Sequence, residues 1–290
     1  MTFRSYRGRL APSPTGYLHL GHARTFHRAW LRARERSGSL VMRMEDLDPD
    51  RSRGEFADAA LEDLRWLGMQ WDEGPDVGGP HAPYIQSSRV DKYREVWQTL
   101  RDAGFIYPCR CSRKDLAAAL GAPHEGAARA DDPDDEPVYP GTCRPVTTGS
   151  EPAYLSGSGL NWRFRVPDGE AIEFEDGNLG PQRFVAGVDF GDFLVWRRDG
   201  VPSYHLACVA DDSLMEITEV VRGADLLKST ARQILLNRAL GFREPDWFHC
   251  ELMVDEQGRR LAKRHDALSI RELRRKGMSP EQVLAGDRVS

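Results

Sequence analysis

Cysteine is scarce in this chain: Cys109, Cys111, Cys143, Cys208 and Cys250 are all it has. So sparse and odd a set excludes a disulfide framework and points to a reducing compartment, with thiols that are either inert or metal-bound. Long apolar runs are missing too. No stretch reaches the roughly 20 apolar residues of a membrane span, and no apolar segment follows the Arg-rich start. Neither a signal peptide nor a membrane partner is expected, and a cytoplasmic location is. A surplus of positive charge is also lacking. The formal net charge of −5 argues against a broad nonspecific grip on nucleic acid. Arginines do cluster late, including Arg259, Arg260, Arg264, Arg271, Arg274 and Arg275, either as a local basic face or as solvated helix faces. What is present is 290 residues, 40% of them hydrophobic, enough for one large core or two modest ones.

Arg9-Leu10-Ala11-Pro12-Ser13-Pro14-Thr15-Gly16 follows a possible short strand, and its prolines and glycine hold the chain extended and turning. From Ala23, apolar Phe26, Ala29, Trp30 and Ala33 recur at helical spacing until Gly38. Leu40–Met44 reads as a second buried strand, with Glu45 and Asp46 at its C-terminal edge. Strand, helix, strand opens a parallel α/β sheet. Further helices are predicted around Phe56–Leu67, stopped by Gly68, and from Ser88 to Leu100, stopped by Gly104. Residues 114–137 are rich in Ala, Asp, Gly and Pro and read as an acidic loop insertion. Antiparallel strands are predicted within Asn161–Trp196, and buried strands at Tyr204–Val209 and Glu216–Val221. A helix over Leu226–Leu240, a strand over His249–Val254 and a polar helical tail complete the pattern.

His19-Leu20-Gly21-His22 stands where the extended turn feeds a helix. A helix N-terminus offers unpaired N–H groups and a positive dipole end, which suits an anion. Two imidazoles there can donate to phosphate oxygens, and Gly21 leaves room for a ring against the backbone. Taken alone, two surface histidines beside a helix cap explain such a sequence as well.

Taken in order, the segments resemble class I glutamyl-tRNA synthetases. Arg9–Thr25 is similar to the family signature, with His19-Leu20-Gly21-His22 matching its HIGH motif. Arg43-Met44-Glu45-Asp46-Leu47-Asp48, Asp211-Asp212, Arg222-Gly223-Ala224-Asp225 and Arg232-Gln233 resemble later segments. Arg260-Leu261-Ala262-Lys263-Arg264 is similar to the KMSKS loop, with Lys263 as its second lysine and Arg260 in place of the first. The resemblance implies a Rossmann-like (HUP-type) parallel-sheet catalytic domain of class α/β, with an inserted zinc-binding subdomain and no anticodon-binding domain. It divides the chain into 1–104 and 196–266 for the catalytic halves, 105–195 for the insertion and 267–290 for a short tail.

The substrates it implies are L-glutamate and ATP with Mg²⁺. His19, His22 and Lys263 would be catalytic, and His19, Gly21, His22, Arg260, Leu261 and Lys263 would contact ATP. Arg9, Leu10, Ala11, Pro12, Ser13, Glu45, Tyr204 and Arg222 would form the glutamate pocket. That set has complementary chemistry: arginine forks for carboxylates and a carboxylate for the ammonium group. Which arginine faces which carboxylate stays open.

Cys109, Cys111, Tyr139 and Cys143 resemble the structural zinc site of the family's short members, one Zn²⁺ per chain. Their spacing alone fits buried apolar cysteines almost as well, and His124 competes as fourth ligand. The 26 residues after Arg264 would make about 40 Å of helix, too little for an anticodon-binding region. Those short members, the glutamyl-queuosine tRNA(Asp) synthetases, imply queuosine-bearing tRNA(Asp) as partner, and a monomer is expected. Acceptor-end charging, a catalytically dead RNA-binding paralogue and a nucleotidyltransferase of the same fold are the alternatives.

Overall fold

The computed structural model describes residues 5–112, 114–116, 138–146, 159–252 and 269–285. In chain order its main elements are β1 (Arg7–Leu10), α1 (Leu20–Glu35), β2 (Ser39–Met42), α2 (Gly54–Trp66) and α3 (Val90–Asp102). There follow β3 (Ile106–Cys109), β4 (Asn161–Phe164), β5 (Ala171–Asp176), β6 (Gly180–Val185) and β7 (Phe193–Trp196). The last are α4 (Tyr204–Leu214), β8 (Glu219–Gly223), α5 (Leu227–Leu240), β9 (Asp246–Cys250), α6 (Ile270–Arg275) and α7 (Pro280–Ala285). Among the described residues no helix is long and apolar enough to cross a membrane. The chain forms two compact units.

The first unit comprises Met1–Arg89, Leu214–Ala224 and Pro245–Ser290. Its β1 and β2 pair in parallel, Arg7 opposite Ser39 and Leu10 opposite Met42. Strands β8 and β9 pair in parallel as well, Arg222 opposite His249. Thr218 ties the pairs together: its N–H donates to the Arg7 carbonyl and its hydroxyl accepts from the Arg7 N–H, both at 2.8 Å. Parallel strands covered by helices bury both faces, hence the near-continuous apolar runs. Leu10, Ala23, Ala33, Leu40, Met42 and Leu64 are fully buried in one core that also takes in Val221, Phe248 and Leu273. Its buried charge is paired: Glu219 accepts Arg32 through both oxygens and the Tyr6 hydroxyl through one. Those bonds hold the Glu219 carboxyl below its usual range although burial pushes the other way.

The second unit comprises Val90–Ser213 and Asp225–Glu244. An antiparallel sheet of order β3-β4-β7 and the β5–β6 hairpin bear out the strands predicted for Asn161–Trp196. Trp97 of α3 packs edge-on to Trp162 of β4, centroids 5.0 Å apart.

One prediction fails outright. Tyr204–Val209 is not a strand but the start of α4. A continuous apolar run has the same pattern in a helix buried all round as in a buried strand. The deciding signal is Ser203, whose Oγ accepts the Leu206 N–H at 3.3 Å and whose carbonyl accepts the Ala207 N–H at 3.1 Å. The strand predicted at His249–Val254 begins earlier, at Asp246; Met253 and Val254 lie outside the described residues. The helix predicted over Leu226–Leu240 is α5, ended by Gly241 in the left-handed conformation.

Candidate active site and metal centre

In the first unit, β1 carries Arg9 and Leu10 to the edge of the parallel sheet. The proline-rich run beyond it is hydrogen-bonded onto the continuation of β2. The Leu10 carbonyl accepts the Arg43 N–H at 2.8 Å, and the Pro12 carbonyl accepts the Glu45 N–H at 2.9 Å. Proline has no N–H to give, but its carbonyl still accepts. The segment Ala11–Ser13 is thereby fixed alongside Glu45.

The chain then enters α1 through His19, an extended cap residue. Its Nδ1 accepts the Gly21 N–H at 3.1 Å, while His22 Nδ1 accepts the His19 N–H at 3.3 Å. The rings stack with centroids 3.7 Å apart. With Nδ1 acting as acceptor, each neutral ring carries its proton on Nε2, the donor form that a phosphate oxygen requires. No acidic residue occupies the first turn of α1, so its positive end keeps its field. A Cβ on Gly21 would lie 3.1 Å from the His19 ring, so glycine also keeps this turn uncrowded. Ser269 pairs with His19 in an antiparallel bridge, and the Ile270 N–H donates to the Leu18 carbonyl at 2.8 Å.

Three of the buried arginines in this unit belong to the candidate segments. Arg9 donates to the Val221 carbonyl at 2.7 Å, next to Arg222 on the neighbouring strand. Arg222 donates through Nε to His249 Nε2 at 3.2 Å and lies over the Trp247 ring at 5.1 Å. Arg43 is fully buried and meets the Glu45 carboxylate at 2.9 Å. The structure therefore brings Arg9, Leu10, Ala11, Pro12, Ser13, His19, Gly21, His22, Glu45 and Arg222 into one unit. Tyr204 opens α4 in the second unit, its ring 5.5 Å from that of His205. There Asp211 accepts the Tyr93 hydroxyl at 2.8 Å, and Arg232 lies over Phe190. Arg260, Leu261, Lys263 and His124 lie outside the described residues.

Sequence reasoning gave no role to Arg43, His249 or Trp247. Arg43 had a signal, being a cation at the end of an otherwise apolar strand run. His249 had none, because its partnership with Arg222 depends on strand register.

The second unit gathers Cys109, Cys111, Cys143 and Tyr139 into a small cluster of its own. The three sulfurs lie within 4.8 Å of one another. Cys111 Sγ is 3.6 Å from Cys143 Sγ, and the Tyr139 hydroxyl is 3.5 Å from Cys109 Sγ and 3.6 Å from Cys111 Sγ. Tetrahedral zinc, with Zn–S near 2.3 Å and Zn–O near 2.0 Å, requires edges of about 3.8 Å between sulfurs and about 3.5 Å from sulfur to oxygen. The donor set fits that geometry. Packing of thiols alone would not call for a phenol oxygen at the fourth corner.

Parallel strands, a helix N-terminus receiving a glycine–histidine turn, and arginines at the sheet edge define a nucleotide-binding catalytic domain of the class I synthetase type. The family model described as tRNA synthetases class I (E and Q), catalytic domain, matches residues 5–288. The chain belongs to that family and is an enzyme of the class I aminoacyl-tRNA synthetases. It is 49% identical over 286 residues to the glutamyl-Q tRNA(Asp) synthetase of Nitratidesulfovibrio vulgaris, covering 96% of this chain and 83% of that one. It is 50% identical to the protein of the same name from Symbiobacterium thermophilum, covering 96% and 84%. A glutamate tRNA ligase from Elizabethkingia meningosepticum, solved in complex with its amino acid, superposes with a TM-score of 0.77 at 30% identity. That match covers 95% of this chain and 54% of the solved one.

Proposed function

We propose that this enzyme activates L-glutamate with ATP and transfers it to queuosine in the anticodon loop of tRNA(Asp), in the cytoplasm. The observation that supports the reading is that one compact unit holds both the His19–His22 helix end and Arg9, Arg222 and Glu45. One group suits polyphosphate. The other suits a dicarboxylic amino acid with one ammonium group.

The glutamate α-carboxylate would attack the α-phosphorus of ATP, forming the mixed anhydride and expelling pyrophosphate. Mg²⁺ accompanying ATP would offset phosphate charge. His19 and His22 would donate through Nε2 to the phosphates, and Arg9 and Arg222 would hold carboxylate groups. Glu45, its position set by the Arg43 contact, would receive the ammonium group. Lys263 is assigned to the triphosphate by the resemblance. A queuosine hydroxyl would then attack the anhydride carbonyl, releasing AMP. No covalent enzyme intermediate is required, so rate enhancement rests on positioning and electrostatics. Cys109, Cys111, Tyr139 and Cys143 would hold a structural zinc ion, which fixes the second unit and takes no part in the chemistry.

The test is transfer of labelled glutamate to tRNA(Asp) with and without queuosine. Labelling of the queuosine form alone is expected. Equal labelling of both forms, or labelling of tRNA(Glu), would remove the acceptor assignment. It would favour acceptor-end charging, the reading suggested by the similarity to a glutamate tRNA ligase.

A further inference from the structure

We propose that Arg163 is the positioning residue of the thiol–tyrosine centre, holding the Tyr139 ring so that its oxygen completes a four-donor metal site. This inference rests on the zinc reading above and goes beyond it, since Arg163 is not itself a ligand. Arg163 is 1% exposed, and its guanidinium lies 4.0 Å from the centroid of the Tyr139 ring. A guanidinium on a ring face is attracted by the ring's quadrupole, and more strongly where water is excluded. The cation is itself anchored, donating through one terminal nitrogen to the Asp192 carbonyl at 2.8 Å. Asp192 is tied in turn by the Tyr107 hydroxyl and the Val166 N–H.

Two further contacts leave the ring little freedom. The Cys143 N–H donates to the Tyr139 hydroxyl at 2.8 Å. Gly191 approaches the Tyr139 backbone so closely that a Cβ there would lie 2.7 Å from the Tyr139 nitrogen. Strand pairing explains why Arg163 can serve the site. β4 lies antiparallel to β3, which carries Cys109, with Asn161 opposite Cys109 and Arg163 opposite Tyr107. Asn161 donates to the Cys111 carbonyl at 3.3 Å, so β4 supports one ligand segment through Asn161 and another through Arg163. A tyrosine without such support would rotate about χ1 and leave three sulfurs and water. Groups that orient ligands in this way typically change metal affinity by about 10–100-fold when removed.

The test uses the full-length chain loaded with cobalt(II) in place of zinc. The d–d absorption reports coordination number and donor set, and zinc affinity is measured by chelator competition. Arg163→Gln keeps a planar donor for the Asp192 carbonyl but removes the charge; Arg163→Met removes both. Tyr139→Phe is the reference for loss of the oxygen donor. We expect both Arg163 variants to bind zinc about 10–100-fold more weakly and to shift the cobalt spectrum toward that of Tyr139→Phe. Gly191→Ala, which presses on Tyr139 without touching any charge, is expected to shift it the same way. Wild-type spectrum and affinity in a folded Arg163→Gln would overturn the role given to Arg163 and leave the metal centre standing. A wild-type chain that takes up no cobalt or zinc, or takes it up equally in Cys111→Ser, would overturn the metal reading and this proposal with it.

Discussion

The two clusters of chemistry-bearing residues are assembled in opposite ways. The histidine turn in the first unit is contiguous: four consecutive residues, His19 to His22, form a helix cap in which each imidazole accepts a backbone N–H of the same turn. The thiol–tyrosine cluster in the second unit draws on a strand end at Cys109 and on a segment 30 residues later in the chain, at Tyr139. Backbone geometry already fixes the first. The second needs tertiary packing to bring four donors together, and on the proposed zinc reading a metal to hold them. Changes at the turn should therefore alter chemistry with little effect on stability, whereas changes at the cluster should do the reverse.

The largest expected effect follows from breaking the assembled cluster. Removing metal with a strong chelator, or substituting Cys111→Ser, should destabilise the second unit by several kcal/mol, since structural zinc binding is itself folding free energy. Denaturant unfolding followed by tryptophan fluorescence would report it through Trp97 and Trp162. Loss of metal with an unchanged midpoint would erase the contrast.

Next comes Arg32→Met in the first unit, well away from the histidine turn. It leaves Glu219 buried without its bidentate partner, which should cost about 3–5 kcal/mol in equilibrium unfolding. The Glu219 carboxyl is held below its usual range in the folded state. Its contribution is therefore present at neutral pH and lost as pH falls through the folded value, so the variant should lose least in acid.

His22→Ala should lower glutamate-dependent ATP–pyrophosphate exchange by about 10²–10³-fold, the range for removing one charge-stabilising donor. Its Tm should stay within a few degrees of wild type. A collapse in Tm with the same loss of rate would mean that the turn is structural.

The smallest effect is expected at Asp63 on α2, which is fully buried and 3.5 Å from Arg271 of α6. Burial raises its carboxyl to about 6, against a pull from Arg271. The folded state therefore holds a proton that the unfolded chain releases, and stability falls as pH rises from about 4 to about 6. Asp63→Asn removes that loss. It should gain on the order of 1–2 kcal/mol at pH 7.5, about 2–8 °C in Tm, and almost nothing at pH 4. An equal gain at both pH values would point to packing instead of ionisation.

The contiguous turn was legible in the sequence because prolines, glycine and helix periodicity are local signals. So were both helices ended by Gly68 and Gly104, each of which takes a positive φ. The proposed ligand set of the thiol–tyrosine cluster came only through resemblance, and its support was illegible: Arg163 meets Tyr139 because β4 pairs with β3. Tyr204–Val209 misled for a related reason. Its burial on every side erased the periodicity that separates helix from strand, leaving the Ser203 cap as the one local clue.

One measurement bears most directly on the central claim that the helix end and the paired arginines hold ATP and glutamate together. It is pyrophosphate exchange in the absence of RNA, run in parallel with L-glutamate, L-glutamine and L-aspartate. The account predicts exchange with glutamate and little with the other two. Absence of exchange with all three, or equal rates with glutamine, would contradict it.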